Sequence, residues 1–224
     1  EEEAAKAPND PNAQGRKKHA GDAIFEDVNN DGQLDSKDMK FMGYIRPDKV
    51  GGIVNSFKYK GLTVRVVMDW AMGHVIDNGF KGQIMGSSRN NNNAIKDAMT
   101  NSWQSANDGT KYPKYTVQSD YDYQYRNHMR WDNQIGSSES GSTNNSLYFS
   151  KGDYLAFREV SLSYMLPSTW VRKIRLSGVE VFAGAYNIGY IKKYDGMFPE
   201  IYTGVDYGVY PRPRQYNMGV KINF

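Results

Sequence analysis

The densest group of metal-type ligands in the sequence is Asp27-Val28-Asn29-Asn30-Asp31-Gly32-Gln33-Leu34-Asp35-Ser36-Lys37-Asp38. Oxygen-bearing side chains fall at positions one, three, five, nine and twelve of this window. Glycine stands at six, where the calcium-loop template turns sharply. A hard cation needs several oxygens gathered from one curved segment, and Asp27, Asn29, Asp31, Asp35 and Asp38 supply them, with Gln33 offering its carbonyl. Aspartate in place of glutamate at position twelve shortens the reach, which weakens bidentate binding or favours a smaller ion. The chemistry is structural: Ca2+ or Mg2+ would stiffen a loop. An Asn/Asp/Gly turn without metal fits the same residues.

A second set of candidates is aromatic. Between Gly73 and Asp153 lie Trp103, Tyr112, Tyr115, Tyr121, Tyr123, Tyr125 and Trp131, with an Asn90–Asn93 run and later Ser/Asn/Gly segments. Rings beside amides suit sugars or peptides, by stacking and hydrogen bonding together. Packing of loops on one another, or on a covering partner, uses the same residues. Ala94, Ile95, Ala98, Met99 and Trp103 have helical spacing and predict a short amphipathic helix. Enzyme chemistry has little support. His19, His74 and His128 form no HExxH pair, and neither a GxSxG elbow nor a Walker loop is present.

These candidates sit in a 224-residue chain with 28 basic and 25 acidic residues, a net charge of +3, which gives no case for nucleic-acid binding. The absence of cysteine excludes a disulfide scaffold and thiolate chemistry. No apolar run reaches the ~18 residues of a membrane-spanning helix. Seventeen Tyr, nine Phe and four Trp beside twenty-two Gly favour strands and tight turns. Glu1 to Asp22 are polar and aperiodic and lack the basic and apolar regions of a signal peptide, so any export signal is expected outside this sequence.

From Lys49 the period becomes two. Ile53, Phe57 and Tyr59 share a face, and after Lys60-Gly61 the residues Leu62, Val64, Val66, Met68, Trp70 and Met72 do the same, with Arg65 and Asp69 opposite. Two such runs across a two-residue turn predict a hairpin. Its second strand, about eleven residues long, exceeds the ~5–6 of globular sheets and matches the ~9–11 that cross a bilayer. Further strands are predicted over Tyr154–Leu166, Val179–Ile188 and from about Arg214 to the end. On the last, Tyr216, Met218, Val220, Ile222 and Phe224 occupy one face. That alternation ending in phenylalanine is what outer-membrane barrel proteins carry as an insertion signal, and an amphipathic edge strand that ends a soluble domain fits the same residues. Trp70, Tyr164 and Tyr216 could join an interfacial girdle. If the chain ends in the periplasm, the short connections, Lys60-Gly61 and Pro167–Gly178, fall inside. The long ones, Gly73–Asp153, Gly189–Pro213 and the segment before Lys49, fall outside, as such barrels require.

Several stretches resemble the C-terminal part of SusC/RagA-type TonB-dependent outer-membrane transporters. They are Gly21-Asp22-Ala23-Ile24-Phe25 through Asp35, Gly51-Gly52, Tyr59-Lys60-Gly61-Leu62, Trp103 followed by Tyr112-Pro113, and Ser150-Lys151-Gly152-Asp153-Tyr154-Leu155 leading to Tyr164-Met165-Leu166-Pro167. The strongest are Tyr186-Asn187-Ile188, Lys193-Tyr194-Asp195-Gly196-Met197-Phe198-Pro199-Glu200 and Tyr210-Pro211-Arg212-Pro213-Arg214. Ala156 departs from the pattern, because the family more often has arginine there. The resemblance implies an all-β fold: about five strands of a larger, 22-stranded transmembrane antiparallel barrel with long extracellular loops. Residues 1–48 would be an outer loop with the metal-type motif at 27–38, and 49–73 a transmembrane hairpin. Residues 74–153 would be a long outer loop region, and 154–224 the last barrel strands. It further implies import of oligosaccharides or peptides across the outer membrane of a Gram-negative bacterium. A SusD-like surface lipoprotein would cap the barrel, with the TonB complex acting through an N-terminal part absent here. Five strands close no barrel, so the rest of the barrel and the lipid bilayer would be further partners. A soluble calcium-binding β-sandwich that recognises glycans is the alternative from another class.

Overall fold

In a computed structural model, residues 1–13, 15–85, 96–106, 109–110, 112–115, 126–127 and 146–224 are described. The chain divides into two compact units. One comprises residues 1–42, 77–149 and 205–208, and the other residues 43–76, 150–204 and 209–224.

The second unit is built on one antiparallel sheet. Its strands are β1 (Lys49–Tyr59), β2 (Leu62–Met72), β5 (Tyr154–Met165), β6 (Gly178–Lys192) and β7 (Gln215–Asn223), hydrogen-bonded in that order. The short strands β3 (Val75–Asp77) and β4 (Phe149–Lys151) pair separately. The β1–β2 turn is made by Lys60 (φ 44°) and Gly61 (φ 86°), both left-handed, which matches the twist of a two-residue hairpin loop. Strand β6 runs fifteen residues, longer than the alternation over Val179–Ile188 suggests, because Asn187 and Gly189 (φ 51° and 158°) carry the chain through an irregularity and pairing resumes beyond it.

Register sorts the side chains into two faces. Ile53 opposes Met68, Phe57 opposes Val64, Val66 opposes Val160, Val64 opposes Leu162, and Tyr216, Met218, Val220 and Ile222 oppose Ala185, Ala183, Val181 and Val179. Apart from Asn55, which opposes Val66, the residues of this face between Ile53 and Ile222 are apolar, and much of it is exposed. So wide an apolar surface is foreign to a monomer in water. The other face carries Arg65, Asp69, Glu159, Ser161, Ser163, Glu180, Gln215, Asn217 and Lys221.

Strict alternation fails once on β5. Val67 opposes Glu159, whereas Met68 opposes Phe157, so Arg158 is the extra residue of a bulge. A bulge lets two successive side chains leave on one side. Arg158 therefore joins Glu159, Ala156 and Tyr154 on the polar face. Strict alternation would place Arg158, Ala156 and Tyr154 with Val160 on the apolar face.

Both edge strands, β1 and β7, leave a ladder side unpaired within this sheet. The core of this unit lies at one end of the polar face. Ile76, Tyr194, Phe198 and Ile201 form one cluster and Ala71, Tyr154 and Ala156 another, with Tyr190 packed against both. Among the described residues no second large sheet covers the first, as a sandwich requires. None of the described helices is long and apolar enough to cross a membrane.

The first unit holds short elements: helices at Glu2–Ala5, Gly79–Met85 and Lys96–Thr100, and single turns at Pro11–Ala13, Ser36–Asp38 and Ser146–Tyr148. Of the predicted amphipathic helix, Ala98 and Met99 lie in Lys96–Thr100. Trp103 follows it outside the helix, and Ala94 and Ile95 lie outside the described residues.

Candidate functional site

The polar face of the sheet carries a cluster of charged side chains, partly buried. Arg158, projected by the bulge, donates from Nε to both oxygens of Asp69 on β2 at 3.0 and 2.9 Å. Its Nη1 donates to Glu200 Oε1 at 2.5 Å, and the Tyr190 hydroxyl from β6 donates to the same oxygen at 2.5 Å. The second Glu200 oxygen meets Arg212 Nη2 at 3.2 Å and the Tyr202 hydroxyl at 3.4 Å. The Glu200 side chain is 1% exposed. Burial alone would raise its pKa, but the hydrogen bonds from Arg158 and Tyr190 and the nearby guanidinium charges hold it below the usual glutamate value. The aromatic frame is continuous: Tyr190 meets Tyr154 and Phe198 edge-on, each at 5.9 Å, and Arg212 lies 5.9 Å over the Phe198 ring.

Two cations and two carboxylates thus compensate one another, and every strong donor is committed. Such a cluster positions a segment and supplies no nucleophile. What it positions is the β6–β7 connection, brought onto the polar face by Glu200 and Arg212. Ala156, the departure from the family pattern, is buried beside Asp69 and Tyr190, and the guanidinium on this face comes from Arg158 instead.

A second knot ties the strand ends. Asp153 accepts from the Gly73 amide at 2.8 Å and from Lys193 Nζ at 3.0 Å, while the Lys193 amide donates to the Asp153 carbonyl. Ser150 Oγ donates to Asp195 at 2.7 Å. Gly152 lies against the buried ring of His74, where a Cβ would overlap the imidazole. Burial lowers the His74 pKa, opposed by the charge of Asp153, and its Nδ1 has no hydrogen-bond partner.

The metal-type loop is closed by its own amides. Asp27 accepts from the amides of Asp31 and Gly32 at 3.2 and 2.7 Å, Asn29 from Asp31 at 3.0 Å, and Asp31 from Gln33 at 2.9 Å. Asp35 and Asp38 cap one another's turn, and Asp38 also accepts from Val28. These backbone bonds, led by that from Asp35, depress the Asp38 pKa. Lys37 stands 3.4 Å from Asp35 and 3.8 Å from Asp31. Among the described residues no three His, Cys, Asp or Glu side chains converge as metal ligands. As arranged, the carboxylates serve the turn and do not form a cation cage.

The aromatic candidates divide. Trp103 lies half-buried with its ring over Gly21, whose φ of 88° and missing Cβ make room for it. Tyr112 is buried against Ala98 with Tyr115 beside it, and its hydroxyl donates to Asp97 at 2.7 Å. Tyr121, Tyr123, Tyr125 and Trp131 lie outside the described residues. Beside Gly21, Asp22 receives Arg126 Nε at 2.7 Å and Asn127 Nδ2 at 2.8 Å, and Asn127 Oδ1 accepts the Ala23 amide at 2.6 Å. Tyr216, Met218, Val220 and Ile222 line the apolar face of the edge strand β7, with Phe224 just beyond it. Missed by the sequence reading were Arg158, Glu200 and Arg212. A charged residue on the apolar phase of a long strand was the available signal for the first.

No family model matches the chain. TonB-dependent receptor P3 of Formosa agariphila is 25% identical over 91% of this chain and 19% of its own length, and receptor P39 of the same organism is 24% identical over the same shares. TonB-dependent receptor SusC of Bacteroides thetaiotaomicron is 26% identical over 40% of the chain and 9% of its own length. The chain therefore spans about a fifth of the two longer-matching relatives. Among solved structures, the RagAB peptide transporter superposes with a TM-score of 0.58 at 23% identity, covering 80% of this chain and 17% of that one. The closed–closed RagAB peptide importer gives 0.61 at 22%, covering 86% and 19%. These relatives are receptors and transporters, not enzymes. By sequence along nine-tenths of its length and by fold, the chain is similar to SusC/RagA-type TonB-dependent receptors and transporters, and its five-stranded antiparallel sheet matches part of their β-barrel.

Proposed function

We propose that this chain supplies wall and outer loops to a TonB-dependent importer of oligosaccharides or peptides in the outer membrane of a Gram-negative bacterium. A SusD-like surface lipoprotein would cap it, and the TonB complex would drive it through parts beyond this chain. The observation that carries the reading is the sheet itself. Strands of nine to fifteen residues present one face that is mainly apolar and one that is mainly polar, which suits lipid outside and a wet lumen inside. On this reading the Glu200 cluster faces the lumen and folds the β6–β7 loop inward. Transport involves no covalent chemistry by these residues. The loop Asp27–Asp38 would be a structural Ca2+ or Mg2+ site if its carboxylates turn from their amides to a cation. Tyr115, Trp103 and the aromatics beyond them would contact substrate or the lid.

The test is direct. A stable, soluble monomer of residues 21–224 in detergent-free buffer, with dispersed amide resonances, refutes the barrel reading. Intact-complex mass spectrometry of the native outer membrane should instead find these residues in a larger chain accompanied by a surface lipoprotein.

A further inference from the structure

The turn that links β5 to β6 has an outer surface that its own folding does not use. Its short helix Ser168–Val171 and the following turn Arg172–Ile174 are fastened by Val171, which is buried. Trp170 and Ile174, four residues apart, point away and are 61% and 64% exposed. Between and beside them stand Arg172, Lys173 and Arg175, all exposed, and the sequence has no acidic residue between Glu159 and Glu180. None of these three cations has an ion-pair partner among the described residues. The β1–β2 turn stands alongside: the Met165 amide donates to the Gly61 carbonyl at 2.9 Å, and Lys60 at its tip pairs with no carboxylate among the described residues. Four uncompensated cations, one exposed indole and one exposed isoleucine therefore share one rim of the sheet. The long connections, after β2 and after β6, leave from the opposite rim.

We infer that this rim, Lys60 with Trp170, Arg172, Lys173, Ile174 and Arg175, is a docking surface for anionic glycerophospholipid headgroups of the periplasmic leaflet. The inference rests on the barrel reading above. Charge complementarity and position select the occupant. The short turns of an outer-membrane barrel are periplasmic, so this rim meets the phospholipid leaflet. Tryptophan settles at the headgroup level with its ring toward the acyl chains. Basic groups at that depth attract anionic lipid, and each contributes about fivefold in affinity. Arginine also presents a planar fork to a phosphodiester. Leu166, Val179 and Val181 at the adjoining strand ends continue the apolar face up to the turn.

The test uses the complete transporter containing this chain, purified in a neutral detergent and titrated with short-chain phosphatidylglycerol, phosphatidylcholine or lipid A under native mass spectrometry. Phosphatidylglycerol should be retained in preference to phosphatidylcholine. The K60Q/R172Q/K173Q/R175Q variant should lose that preference by at least roughly tenfold, and Trp170→Ala should weaken retention of both phospholipids. If the quadruple variant does not assemble, R172Q/K173Q gives the same reading with a smaller loss, since both side chains are exposed and unpartnered. Equal retention of both phospholipids by the wild type, an unchanged preference in the variants, or retention of lipid A in place of phosphatidylglycerol would overturn the proposal. Fractionation of the same cells separates the two levels. A chain absent from the outer membrane refutes the barrel reading, whereas a chain present there without lipid preference refutes only the docking surface.

Discussion

Replacing Glu200 by glutamine in the full-length protein keeps the shape of the side chain and removes the charge on which Arg158, Tyr190 and Arg212 converge. The 1% exposure of Glu200 means that water cannot replace what is lost. Charge-assisted hydrogen bonds contribute about 1.5–3 kcal/mol each. Two fall on Oε1, from Arg158 and Tyr190 at 2.5 Å. The contact with Arg212, whose side chain is half exposed, adds at most about 1 kcal/mol. Glutamine retains one neutral acceptor but turns an amide N–H2 toward these donors, and Arg158 keeps Asp69 as a counter-ion. The net cost is therefore about 3 kcal/mol, below the ~3–5 of a stranded buried charge in its upper range, and it falls on the β6–β7 connection and not on the ladder. Local opening of that connection should rise roughly 150-fold. Amide hydrogen exchange reads this directly. Protection should fall across the Lys193–Arg214 segment while the β2–β5 ladder keeps its rates. A change under about threefold would refute the clamp, and an equal loss in the ladder would show that Glu200 supports the whole sheet instead. The pH dependence follows in sign. A carboxyl held below its unfolded pKa contributes in full above that value, near ~4.3, and loses the contribution as pH falls through the lower folded value. Loop protection should stay level from neutrality to about pH 5 and be lost only in stronger acid.

Gly152→Ala drives a methyl into the His74 ring and should cost about 1–3 kcal/mol, the range of overpacking. A lowered melting temperature that His74→Ala partly restores would support the contact, and an unchanged one would remove it. Because burial holds His74 below its ordinary pKa, its neutral form adds stability above about pH 6.5 that declines as pH falls through the folded value. His74→Gln should flatten that slope. For the Asp27–Asp38 loop, calorimetry should show one Ca2+ or Mg2+ site abolished by Asp31→Ala. Heat-free titrations identical in both proteins would leave only an amide-closed turn.

The strands were legible because a sheet with one apolar and one polar face writes its geometry into the sequence with period two, and β2 runs over the alternating residues themselves. The bulge was not legible by that rule. Counting in twos from Val160 puts Arg158 on the apolar face, and one inserted residue reverses every assignment upstream of it. A guanidinium in the apolar phase was itself the sign of a phase change, since an unpaired arginine is costly among valines and leucines. The Glu200–Arg212 contact was hidden for another reason. It joins two loop motifs across an irregular connection, where neither periodicity nor spacing carries information.

The same geometry gives the family stretches a physical meaning that resemblance alone lacked. Ser150-Lys151-Gly152-Asp153 meets Lys193-Tyr194-Asp195 through Asp153–Lys193 and Ser150–Asp195. Phe198-Pro199-Glu200 meets Arg212 through an ion pair and a stacked ring. Gly21-Asp22 meets Trp103 through a glycine that leaves room for the indole. In each case two short motifs far apart in sequence are halves of one contact, and at Glu200 the burial of the carboxylate makes its cation partners necessary. Glycine against a ring and carboxylate against cation are requirements of assembly, and they act before any ligand arrives. On the proposed transporter reading, specificity for a substrate is therefore to be sought among residues outside these paired motifs, where the sheet can vary without losing its loops.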